Sequence, residues 1–380
     1  MINQVLIISF WNPTPRFPNK GIFIKDQVDS ISKYKGNIIF LEINILPKKT
    51  KVFEKEFLIK KSDNNTYITL NIYSIFWKFI FVVPDFVYYV VKKVLKSHFD
   101  TFVPEIVHSN VIFPCGFVGA RFAKLYRSKH IISEHWSKFE KLLSNPIYGK
   151  RALNIYKECD AIICVSEYLV NSIKSKTKSN NIIQIPNIID TEIFNYKERK
   201  LTDVNSLNII CIAIWELPKR LDLIIESLIT FAMQSNKMIV LNVIGEGSQR
   251  IKYINKPNLP NLKINFLGYL SKKAIASILN ITDFLMHASN RETFSIVTAE
   301  ALSTGTPVLV SNVGALPELV TINNGYTVDN NLESWVAGLE KISNTSYDSS
   351  LISELVINKF SPKAFFLRIN EVYNNIIQKK

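Results

Sequence analysis

The chain has 380 residues, enough for two domains of ordinary size. Hydrophobic residues make up 47% and charged residues 21%, with 12 glycines and 15 prolines, which excludes disordered, collagen-like and low-complexity chains. The formal charge of +14 is concentrated in residues 1–185, which hold 27 basic and 14 acidic residues, so nucleic acid, anionic lipid or a phosphorylated substrate would meet that half.

Residues 5–11 are apolar, but no basic residue precedes them and Asn-Pro-Thr-Pro follows, so they read as a buried first strand (4–10) rather than a signal peptide. Further Ile- and Val-rich strands are expected at 37–45, 106–109, 130–133 and 161–165, with helical stretches at 25–33, 117–127 and 166–174. The run from Ile72 to Leu95 is the most apolar, yet Lys78, Pro84, Asp85, Lys92 and Lys93 interrupt it and no membrane span fits. The second half repeats the alternation, with strands at 208–214, 237–244, 264–267, 283–287 and 307–311. Continuous apolar strands alternating with helices imply parallel sheets covered on both faces, here in two doubly wound α/β domains. The expected division is 1–185, a linker at 186–205, a second domain at 206–360, and an amphipathic C-terminal helix at 361–380 that packs back towards the first domain. Ligands of such sheets bind at strand ends and helix starts, so the cleft between the two domains is the expected place of function. Cys115, Cys159, Cys164 and Cys211 form no C-x-x-C pair and read as ordinary buried thiols of a reducing compartment.

The most informative stretch is HASNRETFSIVTAEALSTGTPVLVSNVGALPELV, from His287 to Val320. A strand should end at His287, a polar loop carry Arg291 and Glu292, and a helix start near Thr293 to Ser295 and stop at Gly305. The amides of Thr293, Phe294 and Ser295 would then offer free N–H groups to a phosphate. Glu292 and Glu300, eight apart, would lie about 12 Å apart on one continuous helix, too far to share an atom but able to hold two ends of an elongated ligand. Read alone, they equally fit a helix-start carboxylate and a surface residue.

This stretch resembles the retaining glycosyltransferases of family 4 (glycosyl transferases group 1), whose hallmark is Glu, seven residues, then Glu. Here it is carried by Glu292-Thr293-Phe294-Ser295 through Glu300-Ala301 to Gly305-Thr306-Pro307-Val308. IPNIIDTEIF (185–194), CDAIICVSEYL (159–169), VIGEGSQR (243–250), INFLGYL (264–270) and ISEHWSKF (132–139) extend the resemblance over most of the chain. It implies the GT-B architecture, two Rossmann-like domains facing a central cleft. It also implies transfer of a sugar, with retained configuration, from a nucleoside-diphosphate donor (a UDP- or GDP-sugar).

Residue by residue, the resemblance assigns Glu292 to the donor sugar and Glu300 to the nucleotide ribose. Lys219 falls on a diphosphate-binding lysine, but Ile214 replaces the accompanying arginine, and Arg220 is the candidate to supply the missing charge. Gly21 in the first loop, Gly245 and Tyr269 after strands of the second half, and Thr293, Phe294 and Ser295 complete the donor-binding set, Ser295 standing where glycine is usual. His135, between Glu134 and Ser137, is the candidate to face the donor sugar from the first domain. His108 and His130 carry no assigned role. No D-x-D triplet is present, so no metal and no cofactor beyond the donor are expected.

The basic, aromatic stretch NIYSIFWKFIFVVPDFVYYVVKKVLK fits both a buried helix and a membrane-interface segment with Trp77 among lysines. The expected acceptor is a glycan or lipid-linked oligosaccharide in surface polysaccharide or lipopolysaccharide synthesis. The enzyme would then be cytoplasmic or peripheral on the inner face of the cell membrane, with an anionic membrane surface as partner and no nucleic acid. A GT-B-fold nucleotide-sugar epimerase and a non-catalytic glycan- or nucleic-acid-binding protein are the alternatives.

Overall fold

The computed structural model describes residues 4–13, 21–48, 50–99, 102–198, 205–254 and 259–378. Part of the first loop, residues 14–20, lies outside them. The chain divides into two compact units, Met1–Asn187 with Pro362–Lys380, and Ile188–Ser361.

The first unit is built on eight strands: β1 (Val5–Ser9), β2 (Ile38–Pro47), β3 (Glu54–Ser62), β4 (Asn65–Ser74), β5 (Ile106–Asn110), β6 (Lys129–Glu134), β7 (Ala161–Cys164) and β8 (Ile182–Gln184). They form one sheet in the order β3-β4-β2-β1-β5-β6-β7-β8. Central strands β1 and β5 are buried along their whole length; β1 reads as an apolar run, whereas β5 buries the polar His108, Ser109 and Asn110 behind Ile106 and Val107. Helices α1 (Ile22–Tyr34), α2 (Trp77–Val82), α3 (Pro84–His98), α4 (Phe117–Tyr126), α5 (Phe139–Leu143), α6 (Gly149–Glu158) and α7 (Glu167–Thr177) connect them.

One strand departs from the all-parallel expectation. β3 pairs antiparallel with β4 across a turn at Asp63 and Asn64. Its sequence, EKEFLIKKS, is mostly exposed at the sheet edge and so lacks the apolar signal of a buried strand. The apolar run from Ile72 also divides: it ends β4, forms α2, and restarts as α3 with Pro84 in the first turn, where its missing N–H costs nothing.

The C-terminal helix (Pro362–Gln378) belongs to this unit and buries Phe365, Ile369, Val372, Tyr373 and Ile376. Tyr373 Oη lies 2.7 Å from His108 Nδ1, whose Nε2 lies 2.7 Å from Ser133 Oγ, so a fully buried histidine ties β5 to β6 and to this helix.

The second unit holds β9 (Ser206–Ile212), β10 (Met238–Ile244), β11 (Leu262–Gly268), β12 (Phe284–His287), β13 (Val308–Ser311) and β14 (Gly325–Val328). All pair in parallel, in the order β11-β10-β9-β12-β13-β14, a doubly wound Rossmann order. Helices α8 (Leu221–Gln234), α9 (Ser248–Ile251), α10 (Lys272–Leu279), α11 (Ile296–Ser303), α12 (Leu332–Ser343) and α13 (Ser349–Phe360) cover it. After Gly314 the chain makes a single 3-10 turn, Leu316–Glu318.

Ile188, Ile189 and Phe194 are buried, and Ser303 Oγ donates to the Phe194 carbonyl at 2.5 Å, so this part of the expected linker packs within the second unit. No helix among the described residues is long and apolar enough to cross a membrane.

Candidate active site

Strand order reverses in the second unit between β9 and β12, and the carboxyl ends of two such strands are where open α/β sheets bind ligands. From the end of β9 the chain runs through a loop to Arg220. Trp215, fully buried, pins this loop by donating from Nε1 to the Ile244 carbonyl at 3.0 Å and from its backbone N–H to Glu246 at 2.8 Å. Gln249 Nε2 donates to the Lys219 carbonyl at 2.6 Å, the Arg220 N–H donates to Ala288 at 3.0 Å, and Lys219 bridges to Ser289. The lysine backbone is thus fixed against the end of β12.

Glu292 follows β12 by five residues. Its carbonyl accepts from Ala315 N–H at 3.1 Å, and a Cβ on Gly314 (φ 56°) would stand 2.0 Å from that oxygen. Only glycine allows this approach, so Gly314 sets the height of the Glu292 loop. Lys219 Nζ lies 2.5 Å from Glu292 Oε2 and 3.0 Å from His287 Nε2, and that nitrogen lies 3.2 Å from the same carboxylate oxygen. Burial opposes ionisation of Glu292, but the Lys219 ammonium overcomes it and holds the carboxyl well below the usual carboxylate range. The pKa of His287 is lowered as well, first by burial and then by the Lys219 charge, and for an imidazole that favours the neutral ring. The result is an anchored carboxylate and ammonium side by side at the strand-order switch.

The helix after Glu292 begins later than its sequence suggests. Ser295 is the N-cap residue, and α11 starts at Ile296. Ser295 has φ 69°, a left-handed conformation that favours glycine. Its Oγ accepts from Thr298 N–H at 3.4 Å. The Thr293 N–H, expected to be free, donates to Glu292 Oε1 at 3.2 Å, because the chain turns back on its own carboxylate before the helix begins. Phe294 is buried with its ring 5.5 Å from that of Phe360. Glu300 lies in α11 and Glu292 in the polar loop before it, where the sequence places it, so the two do not share one helix.

Arg220 sits beside Lys219 but its guanidinium is taken up by Asp222, with Nε 2.8 Å from Oδ2 and Nη2 2.7 Å from the same oxygen. Ile214 is 58% exposed on the same loop. Gly245 follows β10, its N–H donating to the Gly268 carbonyl at 2.7 Å, and Tyr269 follows β11 with its side chain exposed.

The first unit carries the other two assigned residues. Gly21 (φ 66°) is the N-cap of α1, and the group its missing side chain leaves room for is the Trp11 carbonyl, 1.8 Å from where a Cβ would be. His135 directly follows β6 and is buried, its ring centroid 4.8 Å from that of Phe23 on α1. Burial pushes its pKa down to about 3, against a hydrogen bond with Asn187.

Sequence reasoning missed the support beneath His135. Glu134 is fully buried and accepts from Tyr156 Oη at 2.7 Å, Ile112 N–H at 3.0 Å and Trp136 N–H at 3.2 Å. Burial raises its pKa to about 7 despite those hydrogen bonds. The Ile112 amide follows Val111, a buried β-branched residue at φ 69°, a strained conformation of the kind that gathers at functional sites. His287 was also missed as a partner of Glu292; a polar residue closing the apolar strand FLMH was the available signal.

Residues 192–353, which contain Lys219, His287, Glu292 and Glu300, match the family described as Glycosyl transferases group 1, and residues 61–193 match Glycosyltransferase Family 4. The chain belongs to this glycosyltransferase family. This group 1 chain is 30% identical over 240 residues to an uncharacterised glycosyltransferase of Methanocaldococcus jannaschii, covering 62% of the chain and 63% of that protein. Over 95 residues, 25% of the chain and 24% of the relative, it is 35% identical to the GDP-mannose-dependent alpha-(1-6)-phosphatidylinositol dimannoside mannosyltransferase of Mycobacterium tuberculosis. The matches thus span less than two thirds of the length of these relatives. Sucrose-phosphate synthase from Thermosynechococcus elongatus superposes with a TM-score of 0.75 at 15% identity, covering 100% of both chains, which establishes the GT-B fold for the group 1 chain.

Proposed function

We propose that the chain is a retaining glycosyltransferase that moves a sugar from a nucleoside-diphosphate donor to a hydroxyl of a glycan or lipid-linked acceptor. The observation that carries this reading is the Lys219–Glu292 pair at the strand-order switch of the unit that matches the group 1 family. In this reading the bond between the anomeric carbon and the diphosphate breaks, and the acceptor oxygen bonds to the same face of that carbon. The acceptor proton passes to the departing diphosphate. Lys219 stabilises the charge growing on the leaving group, and Glu292 orients the sugar through its hydroxyls while positive charge builds on the ring. Glu300 holds the nucleotide ribose. In the second unit the backbone around Gly245, Thr293, Phe294 and Ser295, with Tyr269, forms the rest of the donor site; in the first unit the resemblance assigns Gly21 and, as a neutral hydrogen-bonding ring, His135 to the donor.

A nucleotide sugar as donor is supported by the GDP-mannose dependence in the name of the Mycobacterium tuberculosis relative, and a lipid-linked acceptor by its phosphatidylinositol dimannoside substrate. The basic first half fits an anionic membrane surface as partner. We place the enzyme in surface polysaccharide or lipopolysaccharide synthesis, on the cytoplasmic face of the membrane.

The test is release of nucleoside diphosphate from a panel of UDP- and GDP-sugars, with and without acceptor glycans, after donors are ranked by the rise in melting temperature they cause. Release that depends on acceptor, with product retaining the anomeric configuration, is expected. Release without acceptor together with an isomerised sugar would identify the epimerase alternative instead.

A further inference from the structure

The first unit contains an open groove of about 1010 Å³ that the donor and acceptor chemistry above leaves unused. Its walls come from the chain entering β3, the end of β4, α2 and α3, and they are aromatic: Phe53, Phe76, Phe79, Phe86 and Tyr89. These side chains are exposed, Phe79 by 67% and Tyr89 by 61%. α3 already buries Val87, Tyr88, Val91, Val94 and Leu95 in the core. Phe86, Tyr89 and Lys93 add a second, exposed stripe at helical spacing, ending in a cation, with Val90 half-buried between it and the core. An exposed apolar patch of this kind marks a binding surface.

The surrounding charge says what kind. From Lys48 to His98 the sequence holds ten lysines and four carboxylates. Asp85 is neutralised by Arg121 at 2.7 Å and Arg151 at 2.8 Å, and Glu54 by Lys48 at 2.5 Å, so the uncompensated charge is cationic. Lys55 and Lys93 line the groove itself. An apolar trough with ammonium groups at its rim is complementary to a hydrocarbon chain ending in phosphate.

The groove is also joined to the supported end of this unit's sheet. The Phe81 ring of α2 lies 5.9 Å from that of Phe113, and Tyr148 Oη donates to the Val82 carbonyl at 2.5 Å. Phe113 belongs to the turn Ile112–Gly116, whose first amide is held by Glu134, the residue before His135.

We infer that this groove seats a hydrocarbon chain of an anionic membrane phospholipid, with Lys55 and Lys93 on its phosphate, and thereby docks the enzyme on the bilayer that carries its acceptor. The inference rests on the lipid-acceptor reading above.

Trp77, in α2 beside the groove, is the reporter. The full chain is mixed with vesicles of phosphatidylcholine alone or with phosphatidylglycerol, the acyl chains plain or brominated. At low salt, binding to the phosphatidylglycerol vesicles is expected, with tryptophan emission quenched by brominated chains and that quenching lost in Trp77→Phe. Phe79→Asp combined with Tyr89→Ser should abolish quenching while leaving the melting temperature unchanged, because both residues are exposed. Lys55→Ala and Lys93→Ala should each weaken binding about fivefold.

Binding without quenching would show adsorption by charge alone and overturn the proposal. So would absence of binding at low salt, or a concentration-dependent dimer that Phe79→Asp dissociates, since a second copy would then cover the groove. Nucleoside-diphosphate release with a water-soluble glycan acceptor is measured on the same preparations. Loss of quenching with release intact removes only the groove proposal, whereas quenching without release from any donor removes only the transferase reading.

Discussion

Lys219 Nζ lies 2.5 Å from Glu292 Oε2, although 73 residues separate the two in the chain. The pair is one-fifth exposed or less on each side, dry enough for the attraction to matter and open enough to be rearranged by a ligand. A diphosphate would draw the ammonium away and leave the carboxylate for sugar hydroxyls. Lys219→Ala therefore strips Glu292 of the cation that outweighs its burial. The acidic limb of the pH–activity profile should move to higher pH, and stability at neutral pH should fall by about 1–3 kcal/mol. Kinetics across pH and urea unfolding of the variant measure both.

The two glutamates should separate in kinetics. In the proposed roles, Glu292→Gln would remove charge opposite the forming sugar cation and should lower kcat by about 100-fold or more with little change in donor KM. Glu300→Gln would lose the charged hydrogen bond proposed to the ribose and should raise donor KM about tenfold with kcat nearly retained. The reverse pattern would exchange their roles.

Ile214 stands exposed at the place where the family resemblance expects a diphosphate-binding arginine, while Arg220 is engaged by Asp222. Ile214→Arg should tighten nucleoside-diphosphate binding about tenfold by calorimetry. Unchanged affinity would mean that another cation already occupies the position.

Gly314→Ala places a methyl group against the Glu292 carbonyl from a left-handed backbone. A loss of about 1–3 kcal/mol in unfolding free energy is expected. A fall in kcat should accompany it, because the substitution displaces the catalytic loop without touching any titratable group.

Acid should destabilise the protein well before its carboxylates titrate. Burial lowers the pKa of His108 and of His135 to about 3 and that of His130 to about 4. Between the ordinary histidine pKa near 6.5 and these values the unfolded chain binds more protons than the folded one, so stability falls as pH falls. Each histidine contributes a slope of up to about 1.4 kcal/mol per pH unit. Glu134 works in the opposite sense: raised to about 7, it favours the folded state below the ordinary carboxyl pKa and loses that contribution as pH rises towards 7. Urea midpoints from pH 7.5 to 4.5 should show the net acid sensitivity, and His108→Gln should reduce its slope by about one histidine's share.

The doubly wound architecture was legible because a strand buried on both faces is mostly apolar along its length, as VLIIS, AIIC and VLVS are. The edge hairpin of β3 and β4 was not, since half-exposed strands carry mixed residues. The roles proposed for Glu292, Glu300 and Lys219 come from motif spacing and family resemblance, while the contact between Lys219 and Glu292 was not legible in either. Ser295 illustrates the limit: its position in the motif was plain, but its left-handed backbone and the late start of α11 were not.

Linear order thus determined the layering of the chain and the residue types available for chemistry, because periodic burial is a local property of strands and helices. Only the tertiary structure decided that Lys219 meets Glu292 with His287 behind them, that Arg220 is consumed by Asp222, and that Glu134 lies buried under three hydrogen bonds beside His135. Distances of a few ångströms between side chains far apart in sequence depend on strand order and loop height, which no local pattern encodes.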